Sequence, residues 1–256
     1  MERGARALLV TDVVDSTRLA EELGDVGVAE VWAGHDRVAR RLLAPHGGRE
    51  IDKSDGFLLL FDEAGPAVAY ALAYHRALRD LDLKARAGLH VGDVVLRENP
   101  PEDVARGAKP LEVDGVAKSV AARVMSVAAG GQTLLTEAAR DALERAGGTP
   151  APRIQSHGHW RMKGVAEPVE LFEVGDDVAP MTPPPDGAKV YRVVHTGAHW
   201  LPVREVKHSL PRERNAFVGR EADLQQLARL LDEGAALVSV LGIGGTGKTR
   251  LVTHFG

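Results

Sequence analysis

The sequence contains no cysteine, and only 4% of its 256 residues are aromatic. Without cysteine there is no disulfide framework and no thiolate metal site, as is usual for cytoplasmic proteins. With so few aromatic residues, the hydrophobic cores must be built from alanine, valine and leucine. No apolar run approaches the roughly 20 residues needed to span a bilayer. The first residues lead directly into a predicted strand and do not resemble a signal peptide, so we expect a cytoplasmic protein without a membrane segment.

An excess of charge of one sign is also missing, since 32 lysine and arginine residues face 36 aspartate and glutamate residues, for a net charge of −4. This near balance provides no global attraction to nucleic acid or to an acidic membrane, so neither is an expected partner. A chain of 256 residues can hold one good-sized domain and part of another.

Two aspartates stand out in segments that predict strands. Residues 7–14, A-L-L-V-T-D-V-V, predict a buried strand with Asp12 near its end. Residues 49–61, R-E-I-D-K-S-D-G-F-L-L-L-F, predict a β-hairpin with Asp55 in its turn. A carboxylate in an apolar strand is costly to bury unless it is paired or binds a metal. We therefore expect both aspartates to converge on divalent cations that carry nucleotide phosphates.

Helices and strands alternate along residues 1–175 in a mixed order. Helical spacing predicts helices over residues 18–23, 26–43, 65–81, 115–128 and 137–146, with a break at Gly24. Further strands are predicted over residues 86–96, 132–136, 155–162 and 168–174, and a long polar loop over residues 97–113. This order predicts an α+β sandwich in which helices cover one sheet.

Several polar residues outside the hairpin complete a set suited to phosphoryl chemistry. Ser119 and Arg123 are four residues apart in a predicted helix and therefore share one face. Glu112 lies just before that helix, and Lys163 precedes a glycine turn. Two carboxylates for metals, with an arginine and a lysine for phosphates, are the groups that such chemistry uses.

Motifs along residues 1–175 resemble the catalytic domain of class III nucleotidyl cyclases, which form cyclic AMP or cyclic GMP from the triphosphate. They read T-D-V-V-D-S-T-R-L, H-G-G-R-E-I followed by D-G-F-L-L-L-F, G-L-H-V-G-D-V, G-V-A-K-S-V-A-A-R-V-M with G-G-Q-T-L-L-T, and K-G-V-A-E-P-V-E-L-F. The resemblance implies a ferredoxin-like sandwich with a central, mostly antiparallel sheet. It also implies a homodimer, because the active site of that family lies between two antiparallel protomers.

The resemblance also implies roles for individual residues. Asp12 and Asp55 match the two aspartates that bind Mg²⁺ or Mn²⁺, with two ions per site. Arg123 matches the arginine that stabilises the transition state, and Lys163 matches a lysine that contacts phosphates.

Three positions depart from the pattern of the family. Ser119 stands where an asparagine usually orients the ribose. The turn before Asp55 is one residue short of the usual Lys-x-x-Gly-Asp, which leaves Lys53 two residues before Asp55. Glu112 stands where an aspartate or threonine completes recognition of the base. We expect Lys53 and Glu112 to read adenine, so that ATP is the substrate of an adenylate cyclase. Should Asp52 take the place of Lys53 in the pocket, guanine would be favoured.

A proline-rich stretch separates this domain from a second motif. Residues 176–214 predict a linker that contains a small hairpin over residues 191–194 and 200–203. Residues 242–249 read G-I-G-G-T-G-K-T after an apolar strand predicted over residues 236–241. In such a P-loop the backbone around Gly242 and Gly247 wraps phosphates, Lys248 neutralises them and Thr249 holds magnesium.

Together with F-V-G-R-E at residues 217–221, this motif resembles the start of a signal-transduction P-loop ATPase found fused to cyclases. We expect residues 215–256 to be an incomplete P-loop α/β segment, with regulatory domains C-terminal to the end of this chain. The alternative to an active cyclase is a degenerate cyclase-like module that binds nucleotide or only dimerises, and controls that ATPase.

Overall fold

The computed structural model describes residues 2–147, 152–176, 181–187, 190–196, 199–203, 219–232, 237–243 and 245–255. The chain forms two compact units, Met1–Val203 and Arg204–Gly256, which are described separately below. The first unit is therefore longer than the domain expected over residues 1–175. The boundary predicted at residue 215 lies outside the described residues.

The first unit alternates strands and helices. Its strands are β1 (Glu2–Val13), β2 (Arg49–Lys53), β3 (Phe57–Phe61), β4 (Ala85–Glu98), β5 (Leu111–Asp114), β6 (Thr133–Thr136), β7 (Arg153–Met162), β8 (Val169–Gly175), β9 (Val190–Thr196) and β10 (His199–Pro202). Its helices are α1 (Ser16–Leu43), α2 (Ala64–Arg79), α3 (Pro101–Ala105), α4 (Val116–Val127) and α5 (Glu137–Ala146). Gly24 interrupts α1 with φ of 67°, as the sequence predicts.

All ten strands form one sheet in the order β10-β9-β7-β8-β6-β4-β1-β3-β2, with β5 paired to β4. Every pair is antiparallel except β4 with β6. The predicted α+β sandwich with a mostly antiparallel sheet is confirmed. The predicted hairpin forms as β9 and β10, but it is part of this sheet, because β9 pairs with β7 and buries Val190 and Val193.

Helices cover the two faces of the sheet unequally. On one face, α1, α2 and α5 enclose a core that includes Leu9, Leu59 and Leu89. On the other face lies α4, which approaches β4 so closely that a Cβ on Gly88 would lie 2.1 Å from the backbone nitrogen of Met125. Only glycine fits at this crossing, which sets the position of α4.

The long loop predicted over residues 97–113 is wrong in part. β4 continues to Glu98, α3 follows, and β5 begins at Leu111. Leu111 and Val113 pack into the core beneath α4, and β5 pairs with the end of β4. Burial of these two side chains stabilises β5. The polar composition of the segment does not predict this strand.

The second unit contains α6 (Glu221–Asp232) and α7 (Lys248–Phe255). The strand predicted over residues 236–241 is wrong for its described part, since residues 237–241 form no strand. Leu237 and Leu241 are exposed to 85% and 90%. A strand needs a partner for its backbone hydrogen bonds, and the described residues of this unit contain none. Among the described helices of the whole chain, none combines the length and the apolar character needed to cross a bilayer.

Candidate active site

Asp12 and Asp55 lie at the same end of the sheet because β3 is the neighbour of β1. The Val13 N–H donates to the Asp55 carbonyl at 3.4 Å. A Cβ on Gly56 would lie 1.9 Å from the carbonyl oxygen of Thr11, so the hairpin turn packs directly on the β1 backbone. The approach of the turn that carries Asp55 to the end of β1 that carries Asp12 thus depends on this glycine.

Asp12 forms an ion pair that sequence reasoning missed. Its Oδ2 accepts hydrogen bonds from Nη2 and Nε of Arg86, at 2.6 and 2.9 Å. The two residues are direct partners in the register of β1 and β4. Their side chains are 24% and 34% exposed, so the pair lies at the rim of the sheet. The oxygen expected to bind a metal therefore already faces a positive charge.

Asp55 is exposed and is held by the first residue of α1. The Ser16 hydroxyl donates to Asp55 Oδ2 at 3.0 Å. Two carboxylates are hard oxygen donors, the type that Mg²⁺ and Mn²⁺ prefer. No group of three or more acidic or histidine side chains that could hold a metal exists among the described residues. A metal here would take its other ligands from water and from substrate oxygens, as Mg²⁺ commonly does.

A cavity of about 160 Å³ adjoins Asp12. Its apolar lining comes from the sheet and from α4 and includes Val10, Leu58, Ala122 and Met125. Polar groups at its edge are Asp12, Asp52, Lys53 and Lys118. Lys118 was not predicted as a site residue. It lies four residues before Ala122, so the two residues share one face of α4, and this spacing is the signal that could have placed Lys118 at the cavity.

Asp52 and Lys53 point to opposite faces of the sheet. A register shift between Glu50 and Asp52 pairs Asp52 with Leu58, which belongs to the core beneath α4. Lys53 pairs instead with Phe57 in the opposite core, and its Nζ lies 3.3 Å from the Asp36 carboxylate. The amine predicted to read the base is therefore paired with Asp36, although Lys53 also lines the cavity.

Lys109 holds the Asp52 carboxylate at the cavity. Its Nζ lies 2.6 Å from Asp52 Oδ2, and this hydrogen bond lowers the pKa of Asp52. The second oxygen of Asp52 accepts from the backbone N–H of Lys53 at 2.9 Å. Asp52 is therefore fixed in its ionised form.

Glu112 is not brought into this arrangement. It lies on β5 opposite Arg97, between two residues that pack inward, and it is not among the residues that line the cavity. Lys53 therefore lines the cavity without Glu112.

Ser119, Arg123 and Lys163 are exposed, and none of the three lines the cavity beside Asp12. Ser119 and Arg123 lie on the outer face of α4, whereas Ala122 and Met125 face the cavity. Val120 and Val124, beside Arg123, share a hydrophobic cluster with Met162, the residue before Lys163. The helix that carries Ser119 and Arg123 therefore packs against the strand that ends just before Lys163.

The glycine-rich loop of the second unit is folded around its lysine. Lys248 begins α7, and its Nζ donates to the carbonyls of Gly242 and Ile243, at 2.8 and 2.7 Å. Gly247 has φ of 74°, a conformation that favours glycine. Thr249 follows in the first turn of α7. The predicted residues are adjacent, although the predicted strand before them is absent from the described part.

Comparison with known proteins places the first unit among cyclase folds. No family model matches the chain. A curated relative, receptor-type adenylate cyclase B of Leishmania donovani, is 28% identical over 213 residues, which are 65% of this chain but 15% of the relative. Thus the match spans only a small part of that protein.

Two solved structures share the fold. Adenylyl cyclase CyaB of P. aeruginosa has a TM-score of 0.61 at 17% identity, covering 71% of this chain and 100% of its own. Guanylyl cyclase Cya2 has a TM-score of 0.57 at 24% identity, covering 72% and 98%. The first unit has the fold of adenylate and guanylate cyclase catalytic domains. Because an adenylyl cyclase and a guanylyl cyclase both have this fold, the fold alone does not distinguish ATP from GTP as the substrate.

Proposed function

We propose that the first unit is a purine nucleotide cyclase that converts ATP to cyclic AMP and pyrophosphate. The observation that carries the proposal is the convergence of Asp12 and Asp55 at one end of the sheet, beside a cavity with apolar walls. The similarity to a curated adenylate cyclase supports ATP as the substrate.

In the proposed reaction the 3′-hydroxyl of the ribose attacks the α-phosphorus, the bond to the bridging oxygen breaks, and pyrophosphate leaves with that oxygen. Asp12 and Asp55 would hold two Mg²⁺ or Mn²⁺ ions. When bound, these ions would acidify the hydroxyl and neutralise the phosphates. Arg123 would donate hydrogen bonds to the α-phosphoryl oxygens as their charge grows, and Lys163 would neutralise the pyrophosphate. Ser119 would orient the ribose.

We also propose that the active unit is a homodimer. Asp12 lines the cavity and Asp55 is exposed in the adjacent hairpin turn, whereas Arg123 and Lys163 are exposed and do not line the cavity. A two-fold axis that places the outer face of α4 against the partner's cavity would build two composite sites.

The test is to incubate the purified chain with ATP or GTP, in Mg²⁺ or Mn²⁺, and to identify cyclic products by mass spectrometry. We expect cyclic AMP, with higher kcat/KM for ATP than for GTP. Asp55→Asn, which keeps the size of the side chain and removes its charge, is the matched inactive control. Absence of product under every combination would overturn the proposal.

A second candidate is the regulatory module without catalysis. It is favoured by Arg86, which already neutralises Asp12, and by the serine at position 119. Such a module would bind nucleotide, detectable as fluorescence of a labelled ATP analogue, yet release no pyrophosphate. In either case we propose that residues 215–256 belong to a P-loop NTPase, located in the cytoplasm with the cyclase.

This assignment predicts that nucleotide protects the loop. Limited proteolysis with and without ATP, in wild type and in Lys248→Ala, would show protection in wild type alone.

A further inference from the structure

A second cavity, of about 320 Å³, lies in the first unit and shares no lining residue with the cavity beside Asp12. Its walls come from the end of α2, the start of β4, the loop between α4 and β6, β8, and the chain that follows β8. We propose that this cavity binds a small organic anion, a compound with one carboxylate or phosphate group on a small uncharged body. Binding of this anion is independent of the proposed cyclase activity.

Positive charge stands at the opening of the cavity. Arg79 and Lys84 line it and are exposed. Lys84 forms no ion pair with any residue that the structure describes. Arg79 lies 3.6 Å from the Asp176 carboxylate, which Arg76 also approaches at 3.9 Å. Because two guanidinium groups share one carboxylate, and ion pairs with exposed arginines are weak, Arg79 can still bind an anionic ligand.

The buried wall offers a neutral polar atom. His75 lines the cavity and is only 8% exposed. Its Nε2 lies 2.9 Å from the Thr133 hydroxyl, and no described residue forms a hydrogen bond with its Nδ1. Burial, and then the charge of Arg79, lower the pKa of His75 to about 4, so the ring is neutral at pH 7. Nδ1 is therefore left for one hydrogen bond with the body of a ligand.

The other buried polar groups of the wall are already used. Glu173 Oε2 accepts a hydrogen bond from Gln132 Nε2 at 2.7 Å and lies 2.8 Å from His157 Nε2. Gln132 also donates to the Thr182 carbonyl at 2.8 Å, and its Oε1 accepts from the Ala129 N–H at 3.0 Å. These contacts hold the negative charge of Glu173 within the wall. The anionic group of the ligand therefore belongs at the opening.

The size of the cavity and its remaining walls suit a small uncharged body. Leu83 is buried, and Ala129, Gly130 and Gly131 bring no polar side chain to the lining. Cavities that bind small molecules measure about 300–1,000 Å³ and combine apolar walls with a few polar groups. This cavity lies at the lower end of that range, which suits a compound as small as benzoate or phenyl phosphate.

A neighbouring cavity is less suited to an anion, although Lys84 and Leu83 line it too. Its other charged residues are three acidic ones and one arginine, namely Asp15, Glu22, Asp82 and Arg18. The arginine is itself paired with Glu22 at 3.3 Å. The excess of carboxylates there disfavours an anion, so Arg79 is the residue that distinguishes the two cavities.

The position of the proposed site links it to the chain that follows β8. Thr182 contributes to the lining, and Met181 beside it is buried. A Cβ on Gly175 would lie 3.1 Å from Met181 Cε, so this segment packs closely on the end of β8. A bound anion that contacts Thr182 should therefore hold residues 181–187 more firmly on the first unit.

Titration calorimetry of the whole chain with benzoate and with phenyl phosphate tests the site, and benzyl alcohol is the uncharged control of similar size. We expect an anion to bind and benzyl alcohol not to bind. If only one anion binds, the site prefers that group, carboxylate or phosphate. Arg79→Met and Lys84→Met should each raise the Kd about tenfold, because each removes a charge-assisted hydrogen bond. Arg76→Met is the matched control and should bind as wild type does, because Arg76 is on the same helix and near the same Asp176 but does not line the cavity.

Three results would overturn the site. They are binding of neither anion, equal weakening in Arg76→Met and Arg79→Met, and weakening in Lys84→Met alone, which would place the anion in the neighbouring cavity. Saturating ATP with Mn²⁺ should leave the Kd unchanged, and competition would instead place the probe beside Asp12. Thermal unfolding checks that each variant folds, and Arg79→Gln replaces Arg79→Met if the latter does not.

These measurements need no turnover, so a wild-type protein that forms no cyclic product would contradict the proposed function and leave this test intact. Amide hydrogen exchange tests the link to the segment after β8. Saturating anion should slow exchange in the peptide that contains Thr182, and should not do so in Arg79→Met. Unchanged exchange in wild type, at an anion concentration shown to saturate the site, would remove residues 181–187 from the proposed site.

Discussion

The first unit carries two groups of candidate functional residues that differ in charge and in their contacts. The acidic group, Asp12 and Asp55, is already engaged, because Arg86 binds one carboxylate and Ser16 binds the other. The basic group, Arg123 and Lys163 with Ser119, is exposed, and the described residues offer its side chains no hydrogen bond or ion pair. The contrast teaches that contacts within the chain fix the acidic group, whereas the side chains of the basic group are exposed.

The largest loss of activity should come from removing one charged side chain of either group. We expect Asp55→Ala and Arg123→Ala each to lower kcat by about 100-fold or more, since each loses charge stabilisation in the transition state. The two should differ in Mn²⁺ binding, measured by electron paramagnetic resonance: weakened in Asp55→Ala and unchanged in Arg123→Ala. Equal metal binding in both proteins would remove the distinction between the groups. Thermal unfolding serves as the control for folding.

Mixing the two inactive proteins tests whether the groups meet across a dimer. Random exchange makes half of the dimers mixed, and one of the two sites in each mixed dimer is intact. About a quarter of wild-type activity should therefore return. Exchange is verified with two affinity tags, each on one variant. If tagged mixed dimers form and stay inactive, then both groups act within one chain or Arg123 lies outside the site.

An intermediate effect is expected from Arg86→Gln, which removes the cation beside Asp12. Without metal, the free energy of unfolding should fall by about 1–3 kcal/mol, because the partly buried Asp12 carboxylate loses its partner. Mn²⁺ should bind several-fold more tightly, since it no longer competes with the guanidinium, and should restore part of the stability. Arg86→Lys keeps the charge and should lie between wild type and Arg86→Gln. Weaker Mn²⁺ binding in Arg86→Gln would instead mean that Arg86 positions Asp12 for the metal.

The smallest effect should come from Ser16→Ala, which removes one hydrogen bond to Asp55. We expect kcat/KM to fall a few-fold, because loss of the hydrogen bond that positions Asp55 costs about 1 kcal/mol. The measurement is the dependence of the rate on Mn²⁺ concentration, which should shift to higher Mn²⁺. Thr17→Ala, at the next and exposed residue, is the matched control. An effect of equal size in both variants would point to a general perturbation of the start of α1.

Local patterns in the sequence were sufficient for many elements. The hairpin around Asp55, the break at Gly24 and the helix that carries Ser119 and Arg123 all follow from turn residues and apolar spacing, which act over a few residues. In the structure Arg123 is exposed at the edge of the buried face of α4, which includes Val120, Val124 and Val127. Motifs that resemble nucleotidyl cyclases then predicted the α+β fold that the structure shows.

Only the tertiary structure decided which charges meet. Arg86 binds Asp12 across 74 residues of sequence because β1 and β4 pair in one register, which no local pattern specifies. A shift of register beside Asp52 pairs this residue with Leu58 of the core beneath α4, and pairs Lys53 with Phe57 of the opposite core, since successive strand residues point to opposite faces. Lys118 reaches the same cavity only because Gly88 lets α4 approach the sheet. Contacts between distant segments depend on pairing and packing over the whole core, whereas the elements themselves depend on their own residues.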